Sequence, residues 1–112
     1  MKDMKYDENK PPIDLVEPDF ILGIAQVLAH GAKKYAPESW KTEVIDPERR
    51  YYAAAMRHLL AWKLGETIDR ESGWSHLYHA ACNIMFLAFF EQIEHAVFYP
   101  KDECNENNNT RC

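Results

Sequence analysis

The chain has 112 residues, a formal net charge of −5, and 46% hydrophobic and 12% aromatic residues. That length fits one globular domain able to bury roughly two-thirds of its unfolded surface. The acidic balance excludes a broad duplex nucleic-acid surface, which needs clustered Lys and Arg, but leaves room for a small phosphate pocket.

Residues 1–9 are charged and aperiodic. Lys10-Pro11-Pro12-Ile13-Asp14-Leu15 reads as an extended segment, because its prolines forbid regular helix. It is either a lead-in packed on the core through Ile13 and Leu15, or a substrate-contacting arm using Lys10 and Asp14. A first helix is expected over 18–35, with Pro18 in its first turn and Asp19 at its positive end. Phe20, Ile21, Ile24, Val27 and Leu28 form its apolar stripe, Gly31 interrupts it near the end, and Lys33 and Lys34 favour its C-terminus.

Residues 36–46 form a loop in which Trp40 either plugs the core edge or stacks on a base. Asp46 and Pro47 signal the N-cap and first position of a second helix, expected over 47–65. Ala53-Ala54-Ala55 permits close helix approach, and Met56, Leu59, Leu60 and Leu64 are the expected core. A turn follows at Gly65, with Ile68 as anchor and Asp69 or Ser72 as cap. The third helix is expected over 73–95. The run Ile84–Phe90 is apolar all round it, so that helix must be covered on every side. Three helices cannot do this alone, and a two-fold homo-oligomer (a dimer or higher) through 73–95 is expected. The same run is too short to span a bilayer. Past Pro100 the tail is polar and expected to be disordered, which leaves 1–100 as a single helical domain. Cys82, Cys104 and Cys112 include no CxxC pair, and no secretory signal is seen, as expected of a reduced, cytoplasmic protein.

The fold class is therefore all-α, and its unusual stretch is 57–90. His58, Glu66, Asp69, His76, His79 and Asn83 recur within two otherwise apolar helices, where polar groups cost free energy unless paired or liganded. Three arrangements are open for a ligand site. Glu66 and Asp69 could share a hard divalent ion with substrate phosphates. His76, His79 and Asp69 could hold zinc, although their spacing matches no strong zinc signature. Without metal, Arg57, His58, Lys34 and Lys10 could bind phosphates while Asn83 and Asp14 read a base or sugar. Against all three stands a structural role, with Arg57 paired to Glu66 or Asp69 and His79 capped by Asn83.

Several blocks resemble a known family. Lys10-Pro-Pro-Ile-Asp14-Leu, Gly31-Ala-Lys-Lys34-Tyr35, Ser39-Trp40, Arg57-His58-Leu-Leu-Ala-Trp62 and Gly65-Glu66-x-x-Asp69-x-x-Ser72-Gly73-x-x-His76-x-x-His79-x-x-x-Asn83 look like the phage-associated dATP/dGTP diphosphohydrolase N-terminal domain family. The helix order is also similar to the wider all-α, MazG-like nucleotide pyrophosphohydrolases. The resemblance implies a phage or prophage origin, hence a host-cell cytoplasmic location, and a purine nucleotide ligand in an α-helical oligomer. In the MazG-like group, helical carboxylates hold Mg²⁺ on a nucleoside triphosphate, and water attack releases pyrophosphate and a monophosphate.

Carried onto this chain, Glu66 and Asp69 are expected to hold Mg²⁺ or Mn²⁺. His58 or His79 would orient water or stabilise the leaving phosphate. Lys34 and Arg57 would contact phosphates and Trp40 would stack on the base. Lys10, Asp14, Tyr35, His76 and Asn83 complete the expected substrate set. The chain departs from the group's paired ExxE and ExxD motifs: His79 and Asn83 stand where the third helix would carry carboxylates. That leaves a second reading, a phage protein that sequesters a nucleotide immune signal without cleaving it. A third is a purely structural domain.

Overall fold

A computed structural model describes residues 9–95. Three helices carry it: α1 (Pro18–Lys34), α2 (Pro47–Lys63) and α3 (His76–His95). Among the described residues there is no β-strand, only one isolated antiparallel bridge between Ile68 and Ser75. No described helix is long and apolar enough to cross a membrane. The expected tail beyond Pro100, Cys104 and Cys112 lie outside the described residues.

α1 begins as its residues dictate. Pro18 takes the first position, where its missing N–H would have no partner anyway, and Asp19 and the Lys33–Lys34 pair match the helix dipole. Gly31 does not interrupt the helix; it lies inside α1, and its carbonyl accepts the Tyr35 amide that closes the last turn. Gly23 matters more. Its Cα faces the Tyr78 ring so closely that a methyl there would overlap it, and this lets α1 settle on α3. Phe20 meets the same ring edge-on at 5.7 Å. Deeper in this contact the Cys82 thiol points at the Ile24 carbonyl, 3.6 Å away.

α2 packs on α3 through a face the apolar pattern did not mark. Met56, Leu59, Leu60 and Leu64 were expected in the core, yet all are exposed, Leu60 by 54% and Leu64 by 85%. The inward face is instead Tyr51, Ala55 and His58, at i, i+4 and i+7. Small Ala55 lies fully buried, and Ala80 of α3 is buried too, so the helices approach closely and the deciding stripe is partly polar. Asp46 precedes α2 but is no side-chain cap; it sits in the left-handed region with φ 57°, and its carboxylate makes no capping bond.

Between the helices, Trp40 lies in a short 3-10 turn, Ser39–Lys41. Its ring stacks on Phe86 at 4.4 Å and meets Phe89 edge-on at 5.0 Å. Its carbonyl accepts the Tyr51 hydroxyl at 2.9 Å. Trp40 therefore plugs the core edge where α2 meets α3. Ile13 and Leu15 do not pack down as a lead-in would. They form a single 3-10 turn, a form compatible with the prolines before it, and both are exposed.

Candidate functional site

The connection from α2 to α3 is a tight clamp rather than a slack loop. Gly65 (φ 109°) and Gly73 (φ 81°) take left-handed conformations that side chains disfavour. Backbone bonds Asp69 N–H to Trp74 O (2.9 Å), Gly73 N–H to Asp69 O (2.8 Å) and His76 N–H to Thr67 O (2.9 Å) pin the two arms together. α3 starts at His76, three residues later than expected, because Ser75 rather than Asp69 or Ser72 is its cap: the Ser75 hydroxyl accepts the Leu77 amide at 3.0 Å. Asp69 and Ser72 are thereby left to shape the clamp. The Ser72 amide donates to Asp69 Oδ2 at 2.9 Å, and the Ser72 hydroxyl accepts the Trp74 amide at 3.1 Å.

The clamp delivers Asp69 and Ser72 onto three converging imidazoles. His58 Nδ1 of α2 lies 2.8 Å from His76 Nδ1 of α3. The His79 ring stacks on His58 at 4.5 Å and 14°. His79 Nε2 is 2.7 Å from Ser72 Oγ and 3.5 Å from Asp69 Oδ2. Serine, histidine and aspartate here do not form a nucleophilic relay, since Ser72 and Asp69 meet the same imidazole nitrogen rather than opposite ones. Ser72 Oγ, which accepts the Trp74 amide, thus also shares a hydrogen bond with His79 Nε2. Asn83, also buried, donates to the His79 carbonyl at 2.8 Å, so it steadies the first turns of α3.

The electrostatics favour neutral His58 and His79 beside an ionised Asp69. Burial, then the neighbouring His79 and His76, push His58 down to about 4, so its imidazole is neutral at pH 7. Burial also lowers His79, against the pull of Asp69. For Asp69 burial works towards a higher value, but hydrogen bonds from Ser72 and the nearby imidazoles outweigh it and hold the carboxyl below its ordinary range.

Beside the cluster runs an open groove of about 1300 Å³ between α1, α2 and α3. Lys34, Arg49, Arg50 and Arg57 line its walls, Tyr35 and Trp40 sit at its rim, and His58, Asp69, His79 and Asn83 close one end. Lys34 also pairs with Glu71 across from it, and that contact raises the lysine and lowers the carboxyl. The expected site residues thus fall into two groups. Lys34, Tyr35, Trp40, Arg57, His58, Asp69, His79 and Asn83 share the groove; His76 lies buried behind His58. Lys10, Asp14 and Glu66 do not line it. Arg57 makes no ion pair with Glu66 or Asp69 among the described residues. Glu66 instead faces Arg70 and His76 Nε2, each at 3.7 Å.

Arg49, Arg50, Glu71 and Ser72 were not singled out as ligand-binding residues. Arg50 could have been found by stepping back seven residues from Arg57, since both lie on one helix face. The Glu71–Lys34 pairing joins residues 37 apart and has no local signal.

The donor group gathered by the fold differs from the Glu66–Asp69 pair expected for a hard ion. Asp69 offers a donor atom within 4.8 Å of donors on His58 and His76, and Glu66 is outside that group. Mg²⁺ takes oxygen ligands, and here two of the three gathered donors are imidazole nitrogens.

Comparison with known proteins gives a consistent family. The family described as "dATP/dGTP diphosphohydrolase, N-terminal" matches residues 1–97. A protein of Salmonella phage PMBT28, named dATP/dGTP diphosphohydrolase, is 36% identical over 87 residues, which cover 78% of this chain. This chain spans 29% of that relative's length. No solved structure matches it.

Proposed function

The chain belongs to the dATP/dGTP diphosphohydrolase N-terminal family, and from that premise we propose that its groove binds a purine deoxynucleoside triphosphate and hydrolyses it to monophosphate and pyrophosphate. One observation carries the reading: a basic wall of Lys34, Arg50 and Arg57 shares one groove with the imidazole–carboxylate cluster. The cations take the polyphosphate, and exposed Tyr35 at the rim is free to stack on the base. Trp40, whose ring already lies on Phe86, supports that rim from below.

In the reaction, a water oxygen bonds to the α-phosphorus as the bond from that phosphorus to the bridging oxygen breaks, and the electron pair leaves with pyrophosphate. The water proton passes to Asp69 or to an imidazole of the cluster. Neutral His79 can accept it, whereas a protonated imidazole could not. Arg57 and Lys34 offset the charge growing on the leaving group.

A second reading, sequestration of an intact nucleotide, is favoured by one specific feature: Asp69 is the only carboxylate in the gathered donor group among the described residues. The two readings separate on incubation with dATP and dGTP followed by chromatography. Hydrolysis yields dAMP or dGMP; sequestration returns the triphosphate intact after denaturation.

The same proposal includes self-association through α3. Ile84 is 53% exposed, and it lines a shallow depression with Tyr52 of α2 and Leu87 and Ala88 of α3, to which Glu48 and Glu91 also contribute. A second copy turned about a two-fold axis would cover this face with its own equivalent.

A further inference from the structure

We propose that His58, Asp69 and His76 form a three-ligand site for a transition-metal ion of the zinc type, with its open position facing the groove. The inference rests on donor geometry and stands apart from the nucleotide reading. One donor atom from each residue lies within 4.8 Å of the others. They come from three separate segments, α2, the clamp and the start of α3, so the convergence is a product of the fold and not of a local repeat.

The histidine pair is the strongest sign. Two nitrogens of one kind, Nδ1 of His58 and Nδ1 of His76, point at each other from 2.8 Å. Neutral imidazoles manage this only if one carries its proton there and the other does not. A divalent ion beside them would use both lone pairs, with each ring's proton moved to Nε2. For His76 that tautomer has a reason. The residue is 6% exposed, its Nε2 has no hydrogen-bond partner, and the Glu66 carboxylate stands 3.7 Å from it. A ligating histidine commonly turns its other N–H to such a carboxylate, which fixes the ring and strengthens the ligand. Glu66 thus has a part in the site as the orienting partner of His76. Asp69 is oriented in the same sense by the Ser72 amide.

The donor types select the ion. Two imidazoles and one carboxylate suit Zn²⁺ and its neighbours in the first transition row, with Mn²⁺ weaker in that series and Mg²⁺ disfavoured for lack of oxygens. Three protein ligands leave at least one position for water or a phosphate oxygen, as in catalytic rather than structural zinc sites. His58 and Asp69 line the groove while His76 lies behind, so that position opens to the groove.

The test uses the full chain without a histidine tag, stripped with chelator and titrated with ZnCl₂, MnCl₂ or MgCl₂ alone by calorimetry. The expected result is one Zn²⁺ per chain, Mn²⁺ weaker, and Mg²⁺ at least about 100-fold weaker than Zn²⁺. Co²⁺ should bind with the visible absorption of a low-coordinate nitrogen–oxygen site. His58→Ala and Asp69→Asn should each weaken Zn²⁺ by about 10-fold or more, and Glu66→Gln by a smaller factor. His30→Ala, which removes a histidine outside the cluster, should leave it unchanged. Circular dichroism checks that each variant folds, and the wild-type Co²⁺ spectrum needs no variant at all. Absence of stoichiometric Zn²⁺ binding, or Zn²⁺ binding indifferent to both His58→Ala and Asp69→Asn in folded protein, would overturn the site, whatever nucleotide does.

Discussion

His58 and His76 sit 18 residues apart in sequence, yet their Nδ1 atoms meet at 2.8 Å. The meeting depends on two features away from the histidines. Small Ala55 and Ala80 are both buried, letting α2 lie close on α3. The clamp between Gly65 and Gly73 returns the chain so that α3 begins at His76, beside His58. The groove and its basic wall then end at this pair, which is why the proposed chemistry is centred there.

Gly23→Ala tests how α1 is held. The added methyl would overlap the Tyr78 ring, and overpacking of this kind costs about 1–3 kcal/mol. Urea unfolding should show a lower midpoint with unchanged slope. A variant as stable as the parent would mean that Tyr78 turns aside easily and that the close approach of α1 to α3 is not needed.

Cys82 should make the protein sensitive to alkali. It is 2% exposed, and burial pushes its thiol from 9.0 up to about 12. Between those values the unfolded chain has lost the proton that the folded chain keeps, so stability falls as pH rises. By pH 10.5 the loss should approach about 2 kcal/mol. Tyr and Lys titrate there as well, so the measurement is the difference between wild type and Cys82→Ala at pH 8 and at pH 10.5. The stability gap between them should narrow or reverse at the higher pH. A constant gap would contradict the assignment.

Much of this architecture was legible beforehand. The three helices, Pro18 and Pro47 at their starts, and the polar set from His58 to Asn83 follow from spacing and capping chemistry. The orientation of α2 was not. Its most apolar stripe, Met56 with Leu59 and Leu60, faces solvent, because small size and imidazole donors decided the packed face and hydropathy registers neither. The cap of α3 is Ser75, not Asp69 or Ser72. Asp69, Ser72 and Ser75 are all good cap residues, and only the bridge from Ile68 to Ser75 determines which one stands at the helix. Sequence alone leaves Trp40 open as core plug or base platform, and its stacking on Phe86 makes it the plug.

Lys34→Ala separates binding from folding. Its pairing with Glu71 lies in solvent, where an ion pair adds little to stability. Thermal unfolding should therefore stay within about 4 °C of wild type, while affinity for dATP or dGTP, read by calorimetry with EDTA present, should drop by about 10-fold as a charge-assisted phosphate contact is lost. Unchanged affinity would remove Lys34 from the site. A large fall in Tm would make it structural.

Ile84→Glu addresses assembly. A charge placed on the exposed depression with Tyr52 and Leu87 should be tolerated by the folded chain but not by a two-fold interface, where the two glutamates would be brought together without water. Light scattering should give a dimer or larger species for the wild type and a monomer for the variant. A wild-type monomer at high micromolar concentration would contradict the proposed interface.

The most direct measurement incubates pure protein with dATP and dGTP, with Zn²⁺, Mn²⁺, Mg²⁺ or EDTA, and resolves the products by liquid chromatography. Parallel reactions use Asp69→Asn and Arg57→Ala. The wild type should yield monophosphate and pyrophosphate in equal amounts, and Asp69→Asn should lose about 100-fold or more in turnover, the size expected when proton transfer by a positioned group is removed. Triphosphate recovered intact under every condition, from a protein that nucleotide stabilises against heat, would contradict hydrolysis and leave sequestration as the function of the groove.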